Sequence, residues 1–256
     1  MQYNSQPPPE RTPEQSTGLP VVVNLPASKP TVTFVLMGVT IGIYLLQVLS
    51  GALFGGNDWL LLLGAKINQY ILSGQVWRLL TPALLHGSVV HIAFNMYALY
   101  SLGRSLERYY GHRRFLLLYA IGAFAGNTLS FLLSQKISVG ASTAIFGLVA
   151  AEGVFIYRNR ALFGARARSM LLNLLLIVAV NLMIGLQPGI DNWGHIGGLV
   201  GGALFAWTAG PLLEVQPAID HYELRDKRTV NEVVWGFLLS AGLATAAVIG
   251  RFIAGA

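Results

Sequence analysis

Residues 192–213 read NWGHIGGLVGGALFAWTAGPLL and contain no Asp, Glu, Lys or Arg. A helix of this length would extend about 33 Å at 1.5 Å per residue, which is enough to cross the roughly 30 Å hydrocarbon core of a bilayer. Gly194, Gly198 and Gly202 recur at every fourth position. Small residues at this spacing are typical of helices that pack closely together in lipid. We therefore predict a membrane-spanning helix that packs tightly on a neighbouring helix.

The composition of the whole chain is that of a membrane protein. Charged residues make up 11% of the 256 residues, against about 25% in a typical soluble domain. Hydrophobic residues make up 54%. This balance excludes a disordered chain, a disulfide scaffold and an ordinary cytosolic enzyme. Because the chain has no cysteine, a thiolate nucleophile and a cysteine-ligated metal are also excluded.

Seven apolar stretches are long enough to be helices that cross or nearly cross a membrane. The predicted fold class is therefore an all-α polytopic membrane protein. We predict spans near residues 31–53, 90–107, 114–134, 141–157, 169–187, 192–213 and 231–253.

Three further segments precede or connect these spans. Residues 1–30 are rich in proline, and we predict a disordered or extended tail without a cleavable signal peptide. Residues 54–89 stay apolar and contain Trp59 and Trp77, so we predict a loop that lies in the membrane interface. Residues 214–230 are expected to form a linker before the last span.

Positive charges divide unequally between the two ends of the predicted spans. Thirteen Lys and Arg residues fall on one side, called side A here, and four fall on the other, side B. Cytoplasmic loops are enriched in Lys and Arg, so we predict that side A is cytoplasmic, with the N-terminus inside and the C-terminus outside a plasma or inner membrane. The basic residues on side A account for the net charge of +6, so this charge does not indicate nucleic-acid binding and we expect no nucleic-acid partner. Side A contains Arg11, Lys29, Arg104, Arg108, Arg113, Arg114, Arg158, Arg160, Arg166, Arg168, Arg225, Lys227 and Arg228, and side B contains Lys66, Arg78, Lys136 and Arg251.

Polar side chains inside predicted spans are costly in lipid and are therefore candidates for function. His91 and Asn95 open the second span, Ser142 opens the fourth and His195 opens the sixth. These three spans all begin on side B. The helical rise places their polar residues at similar depths, about 24 to 28 Å from the side A end. We predict that they meet in a wet recess that opens on side B.

These residue types can carry out acyl transfer without a metal. The hydroxyl of Ser142 becomes a nucleophile if the neutral imidazole of His195 takes its proton. The N–H of Ser142 lies at a predicted helix N-terminus, where it is free to bind an oxyanion. Asn95 and His91 lie four residues apart on one helix face and are further oxyanion donors. Close backbones at the glycine face would let Ser142 and His195 approach each other.

Three motifs in this order and spacing resemble those of the rhomboid intramembrane proteases. Gly140-Ala141-Ser142 followed by Ala144-Ile145-Phe146-Gly147 is similar to the serine motif of that family. Gly194-His195 with Gly198 and Gly202 is similar to its histidine helix. The first loop and second helix of the family are matched by Trp77-Arg78, His86, His91 and Asn95.

The resemblance implies a rhomboid-like six-helix core over residues 31–213, with residues 231–256 as an extra C-terminal membrane helix. It implies a Ser142–His195 dyad that cleaves membrane-embedded helices of single-span or polytopic substrates near the outer face, without a cofactor or metal. A non-proteolytic relative that binds membrane clients is the alternative. Oxyanion or substrate binding is implied for His91, Asn95, Gly140 and Ala141, and supporting roles for His86, Trp77, Arg78, Gly194, Gly198 and Gly202.

Two other interpretations concern charged or metal-binding residues. His86, His91 and His195 are a minor candidate for a three-histidine metal site, although no acidic residue adjoins them. Glu107 lies beside Arg104 and Arg108, so we expect a local charge network at the side A end.

Overall fold

The computed structural model describes residues 23–24, 28–217 and 222–255, and most of these residues are helical. Two turns of 3₁₀ helix, Val76–Leu79 and Thr81–Leu84, lie in the loop after the first long helix. The α-helices are α1 (Thr31–Leu53), α2 (Trp59–Gly64), α3 (Asn68–Leu72), α4 (Val89–Leu133), α5 (Ser142–Arg158), α6 (Arg160–Phe163), α7 (Arg166–Ile184), α8 (Asn192–Ala209) and α9 (Val230–Gly255).

Four helices of the described ranges, α1, α4, α7 and α9, are long and apolar enough to cross a membrane. Helix α4 contains two of the predicted spans, because its 45 residues break at Gly111, where φ is 70° and ψ is 165°. We call residues 89–110 its first arm and residues 112–133 its second arm. Gly111 ends the first arm and redirects the chain. Glycine adopts its positive φ without steric cost.

Helices α5 and α8 occupy the centre of the bundle and pack against each other and against α4. Buried apolar residues from the three helices, including Leu118, Leu148 and Phe205, form the main core. The 17 residues of α5 extend only about 25 Å, which is shorter than the roughly 30 Å hydrocarbon core of a bilayer. Helix α8 ends at Ala209 rather than at residue 213, because Gly210 and Pro211 follow it.

Glycine lets α8 approach two neighbours at once. A methyl group on Gly198 would overlap the carbonyl of Thr143 in α5, and one on Gly202 would overlap the backbone of Gly147. On another face of α8, a methyl group on Gly201 would overlap the second arm of α4. The predicted close packing of the sixth span on the fourth is therefore present, and a second glycine face packs on α4.

The segment predicted as a linker contains two strands. Strands β2 (Leu213–Pro217) and β3 (Tyr222–Asp226) pair antiparallel, and an ion pair of 2.7 Å joins Arg114 of α4 to Asp226 of β3. Strand β1 (Val23–Asn24) pairs parallel with β3, so the sheet order is β1-β3-β2. The rest of the predicted tail, residues 1–22 and 25–27, lies outside the described residues.

The carboxylate of Glu107 binds other groups than Arg104 and Arg108, the two arginines expected from the sequence. Its buried carboxylate accepts hydrogen bonds of 2.8 Å from the backbone N–H groups of Val32 and Thr33, and one of 2.6 Å from the Thr33 hydroxyl. The first N–H groups of a helix have no partner within that helix, and a carboxylate is well suited to bind them. Glu107 therefore holds the N-terminus of α1 against α4.

The two predicted anchors of the interfacial loop bind the end of α2. The guanidinium of Arg78 is buried and donates hydrogen bonds of 2.7 Å to the carbonyl of Ala65 and 2.8 Å to that of Leu62. The half-exposed indole of Trp77 donates a bond of 3.2 Å to the carbonyl of Leu63. Both side chains pair with carbonyls that the end of a helix leaves without partners.

Candidate functional site

Ser142 and His195 are brought together where α5 and α8 begin. Ser142 is the first residue of α5, and His195 lies in the first turn of α8. The distance from His195 Nε2 to Ser142 Oγ is 3.0 Å, which is a hydrogen bond between groups 53 positions apart in the chain. This is the distance at which an imidazole can take the proton of a serine hydroxyl.

Phe146 fixes the plane of the His195 ring. It lies one helical turn after Ser142, and its ring stacks on the imidazole with a centroid separation of 4.3 Å and an angle of 15°. The stacking leaves the edge of the imidazole directed at the serine. The sequence motif includes Phe146, but its position beside His195 follows only from the packing of α5 on α8.

Gly140 allows the histidine of the second span to come close to the serine. Its φ is 125°, and a Cβ atom there would lie 2.6 Å from the ring of His91. The same Cβ position is 3.6 Å from Ser142 Oγ, so the hydroxyl oxygen and His91 Nε2 lie within about 6 Å of each other. Any larger residue at this position would need a strained backbone and would displace the His91 ring.

His86 holds the segment that leads into Ser142. Its ring Nε2 accepts a 3.4 Å hydrogen bond from the N–H of Ala141, and its backbone binds both ends of the Gln47 amide. Burial, and to a lesser extent the neighbouring His91, lowers the pKa of His86 to about 4. The ring is therefore neutral near pH 7, as a hydrogen-bond acceptor must be.

Asn95 is buried, and its amide points back along its own helix. One amide N–H donates a 3.0 Å hydrogen bond to the carbonyl of His91. Because an amide carries two N–H groups, the second is not used by this bond.

The structure places four of the predicted site residues around Ser142: His86, His91, Gly140 and Ala141. Trp77 lies away from Ser142, in the interfacial loop. Gly202 also lies away from it, deeper in the contact between α5 and α8.

A buried lysine holds the loop between α4 and α5. Lys66 is fully buried, and its ammonium donates hydrogen bonds of 2.7 Å to the carbonyl of Ser134 and 3.1 Å to that of Lys136. Its backbone also pairs with Ser138. Burial lowers the pKa of Lys66 to about 8, and the carboxylate of Asp191 opposes the shift. The interfacial loop therefore binds the segment that ends at Ser142.

The described structure does not gather the three histidines of the minor candidate metal site into one group. Within residues 28–217 and 222–254, no group of three His, Asp or Glu side chains lies close enough to hold a metal ion. His86 and His91 pack edge to face, with ring centroids 5.0 Å apart.

Comparison with known proteins identifies the family of this chain. The family model described as Rhomboid domain matches residues 73–212, more than half of the chain. The chain is also 32% identical to rhomboid protease AarA of Providencia stuartii, over 69% of this chain and 70% of that protein. The chain belongs to the rhomboid family. The matched range, residues 73–212, includes Ser142, His195 and the four residues that lie around Ser142.

Other rhomboid relatives are longer than this chain. It is 40% identical to rhomboid protease GluP of Bacillus subtilis (strain 168), over 71% of this chain and 35% of that protein. It is 41% identical to RHOMBOID-like protein 4 of Arabidopsis thaliana, over 57% of this chain and 37% of that protein. The matches to these two relatives thus cover little more than a third of their length. Membership of the rhomboid family, together with the apolar helices, makes this chain an integral membrane protein.

Sequence reasoning missed three residues that support the rhomboid site. Gln47, Lys66 and Asp191 are all buried and polar. Asp191 immediately precedes α8 and accepts a hydrogen bond from the Ser130 hydroxyl. Gln47 lies inside the first predicted span, so the rule that polar residues in spans are functional candidates would have selected it. Nothing in the sequence distinguishes Lys66 from an exposed loop lysine.

We expect replacement of Lys66 by alanine to lower the free energy of unfolding of the rhomboid domain by about 2 to 3 kcal/mol, because two buried carbonyls lose their donor and a cavity forms. The matched control is Lys136→Ala, since Lys136 is exposed and makes one bond, of 2.8 Å, to the carbonyl of Ile190. That variant should change the free energy by less than about 0.5 kcal/mol. Denaturant unfolding in detergent measures both, and equal losses would show that Lys66 has no special structural role.

Proposed function

We propose that this rhomboid chain is an intramembrane serine endopeptidase with a Ser142–His195 dyad. The observation that carries the proposal is the 3.0 Å hydrogen bond between Ser142 Oγ and His195 Nε2 in the centre of a membrane-protein bundle. The similarity to two proteins named as rhomboid proteases supports the same activity. The non-proteolytic alternative would not require a nucleophile and a base at this distance.

In the first step, Ser142 Oγ attacks a peptide carbonyl of the substrate while its proton passes to His195 Nε2. The stacked ring of Phe146 keeps the imidazole in place during this transfer. The peptide carbonyl becomes an oxyanion. The free N–H of Ser142 at the start of α5, the ring of His91 and the second amide N–H of Asn95 are its proposed donors.

In the second step, His195 gives the proton to the leaving amine, and an acyl-enzyme remains on Ser142. A water molecule then loses a proton to His195 and attacks the ester, which releases the second fragment and restores the serine. No metal or cofactor has a role in these steps. Because α5 is shorter than the membrane is thick, Ser142 lies below the side B surface, where water can reach the recess.

The proposed substrates are membrane proteins with a single span or several spans. A peptide bond within a helix is shielded by its own hydrogen bonds, so the substrate helix must unwind before its carbonyl is exposed. We expect substrates to carry helix-weakening residues near side B and, from the family resemblance, a small residue before the cut. With side A in the cytoplasm, the cut lies near the outer face of a plasma or inner membrane.

The domain organisation is part of the same proposal. Residues 31–213 form the catalytic core, residues 54–89 its interfacial loop, and residues 231–256 a seventh membrane helix. The N-terminus is then cytoplasmic and the C-terminus external, as the unequal distribution of Lys and Arg predicts.

The test is cleavage of a single-span test substrate by the full chain in liposomes. We expect the wild type to release two fragments and Ser142→Ala to release none. A fluorophosphonate probe should label Ser142 of the wild type, as located by peptide mass spectrometry. The matched control is Ser240→Ala, since Ser240 is a buried serine of α9 whose hydroxyl donates to the Gly236 carbonyl. It should cleave at the rate of the wild type.

Two results would contradict the proposal. Cleavage that persists in Ser142→Ala would remove the serine from the mechanism. Loss of cleavage on addition of a metal chelator would instead favour the three-histidine metal site that the sequence left open.

A further inference from the structure

A polar groove runs along the outside of the first arm of α4, away from Ser142. It has a volume of about 370 Å³. Its lining combines guanidinium groups with hydroxyl groups and includes no carboxylate. The lining residues that matter here are Tyr97, Tyr100, Ser101, Arg104, Ser105 and Arg108.

The two arginines of the groove have no acidic partner among residues 28–217 and 222–254. The nearest acid in sequence, Glu107, is turned inward and already binds the first turn of α1 and, at 2.5 Å, the ring of His112. Both Arg104 and Arg108 are exposed at the surface of the bundle. Their positive charge is therefore not neutralised within the described part of the chain.

Arg104 is held in position by an aromatic neighbour. Its Nη1 donates a 2.5 Å hydrogen bond to the hydroxyl of Tyr100, and its guanidinium lies 4.6 Å from the centre of that ring. A guanidinium that is fixed in this way loses less conformational entropy when it binds an anion. Arg108 lies one helical turn further along the same face, so the two guanidinium groups can bind one anion.

The depth of the groove corresponds to the lipid headgroups of side A. Arg104 lies about 22 Å and Arg108 about 28 Å along the first arm from Val89, which starts near side B. The exposed side chains earlier on this arm, Phe94 and Tyr97, are apolar or aromatic and suit contact with lipid. Arginines near the end of a membrane helix extend their charged groups into this layer. The anion within reach at this level of a bilayer is a phospholipid phosphate.

We propose that this groove binds an anionic phospholipid of the side A leaflet, with its phosphate held between Arg104 and Arg108. Guanidinium groups bind phosphate oxygens through paired hydrogen bonds. The hydroxyls of Ser101 and Ser105 lie on the same helix face and can donate to the remaining phosphate oxygens or to a hydroxylated headgroup. The proposal does not depend on proteolysis, because the groove shares no residue with the Ser142 site.

The test compares lipid binding by the full chain in mixed detergent micelles. The probes are phosphatidylglycerol and phosphatidylcholine carrying the same acyl chains, and native mass spectrometry counts the bound lipids. We expect the wild type to bind phosphatidylglycerol at least about tenfold more tightly than phosphatidylcholine. The double variant R104Q/R108Q should lose this preference, because removing charge-assisted hydrogen bonds weakens binding by about tenfold or more.

The matched control is R166Q/R168Q, which removes the same charge from two exposed arginines at the start of α7 on side A. It should keep the preference within about twofold. If both double variants lose it equally, general charge and not the groove attracts the lipid, and the proposal is wrong. It is also wrong if glycerol 3-phosphate competes as well as the lipid, since the groove would then bind free phosphates. If the double variant does not fold, the preference for phosphatidylglycerol is measured for the single variants R104Q and R108Q instead.

Discussion

Replacement of His195 by alanine should lower the rate of substrate cleavage in liposomes by at least about 10⁴-fold. Without an imidazole 3.0 Å from Ser142 Oγ, the hydroxyl keeps its proton and the leaving amine receives none. Removal of the general base from a serine hydrolase has an effect of this size because the nucleophile and the base act as one unit. The double variant Ser142→Ala/His195→Ala should therefore be no slower than either single variant.

His91→Ala provides the contrast within the same site. Its ring lies near Ser142 as a proposed oxyanion donor, and loss of one such donor costs about 10² to 10³-fold. The expected order of rates is thus wild type, then His91→Ala, then His195→Ala. A His195→Ala variant that folds and still cleaves within tenfold of the wild-type rate would show that another group takes the serine proton.

A single methyl group on Gly198 should reduce cleavage by about 100-fold or more. The added Cβ would overlap the carbonyl of Thr143, which directly follows Ser142, so α8 must move away from α5. A displacement of about 1 Å between a nucleophile and its base is enough for a loss of this size. Overpacking of the contact should also lower the free energy of unfolding by about 1 to 3 kcal/mol.

Gly242→Ala is the matched control for Gly198→Ala. Gly242 lies in α9, and a Cβ atom there would have no neighbour within 4 Å. This variant should cleave within twofold of the wild-type rate and gain up to about 1 kcal/mol in stability, because alanine favours a helix more than glycine does. Equal activity of the two variants would mean that the close contact between α5 and α8 does not position the dyad.

The membrane helices and the family could be predicted because their signals are local. Hydropathy and length predict the long helices α1, α7 and α9 within about three residues of their observed ends. The prediction of two spans in place of the 45-residue α4 agrees with the break at Gly111. The prediction of a polytopic helical protein of the rhomboid family is confirmed by the family comparison.

The strands β2 and β3 were not predicted, because their pairing is a tertiary feature. Each strand alternates apolar and polar residues over four positions only, and the two are stabilised by each other and by the ion pair of Asp226 with Arg114, 112 positions away. The assignment of Glu107 to its neighbouring arginines failed for the same reason. A carboxylate binds whichever donors the fold brings to it, and here these are the N–H groups of α1, 74 and 75 positions away.

The amino-acid sequence by itself determined which segments are long and apolar enough to enter a membrane and which polar groups accompany them, since both depend on the chemistry of residues close together in the chain. Only the tertiary structure decided that Ser142 meets His195, that Phe146 stacks on the imidazole, and that Lys66 holds the loop before the serine. These contacts join positions far apart in the chain. Their distances depend on how closely whole helices can approach, which is a property of packed surfaces and not of any one segment.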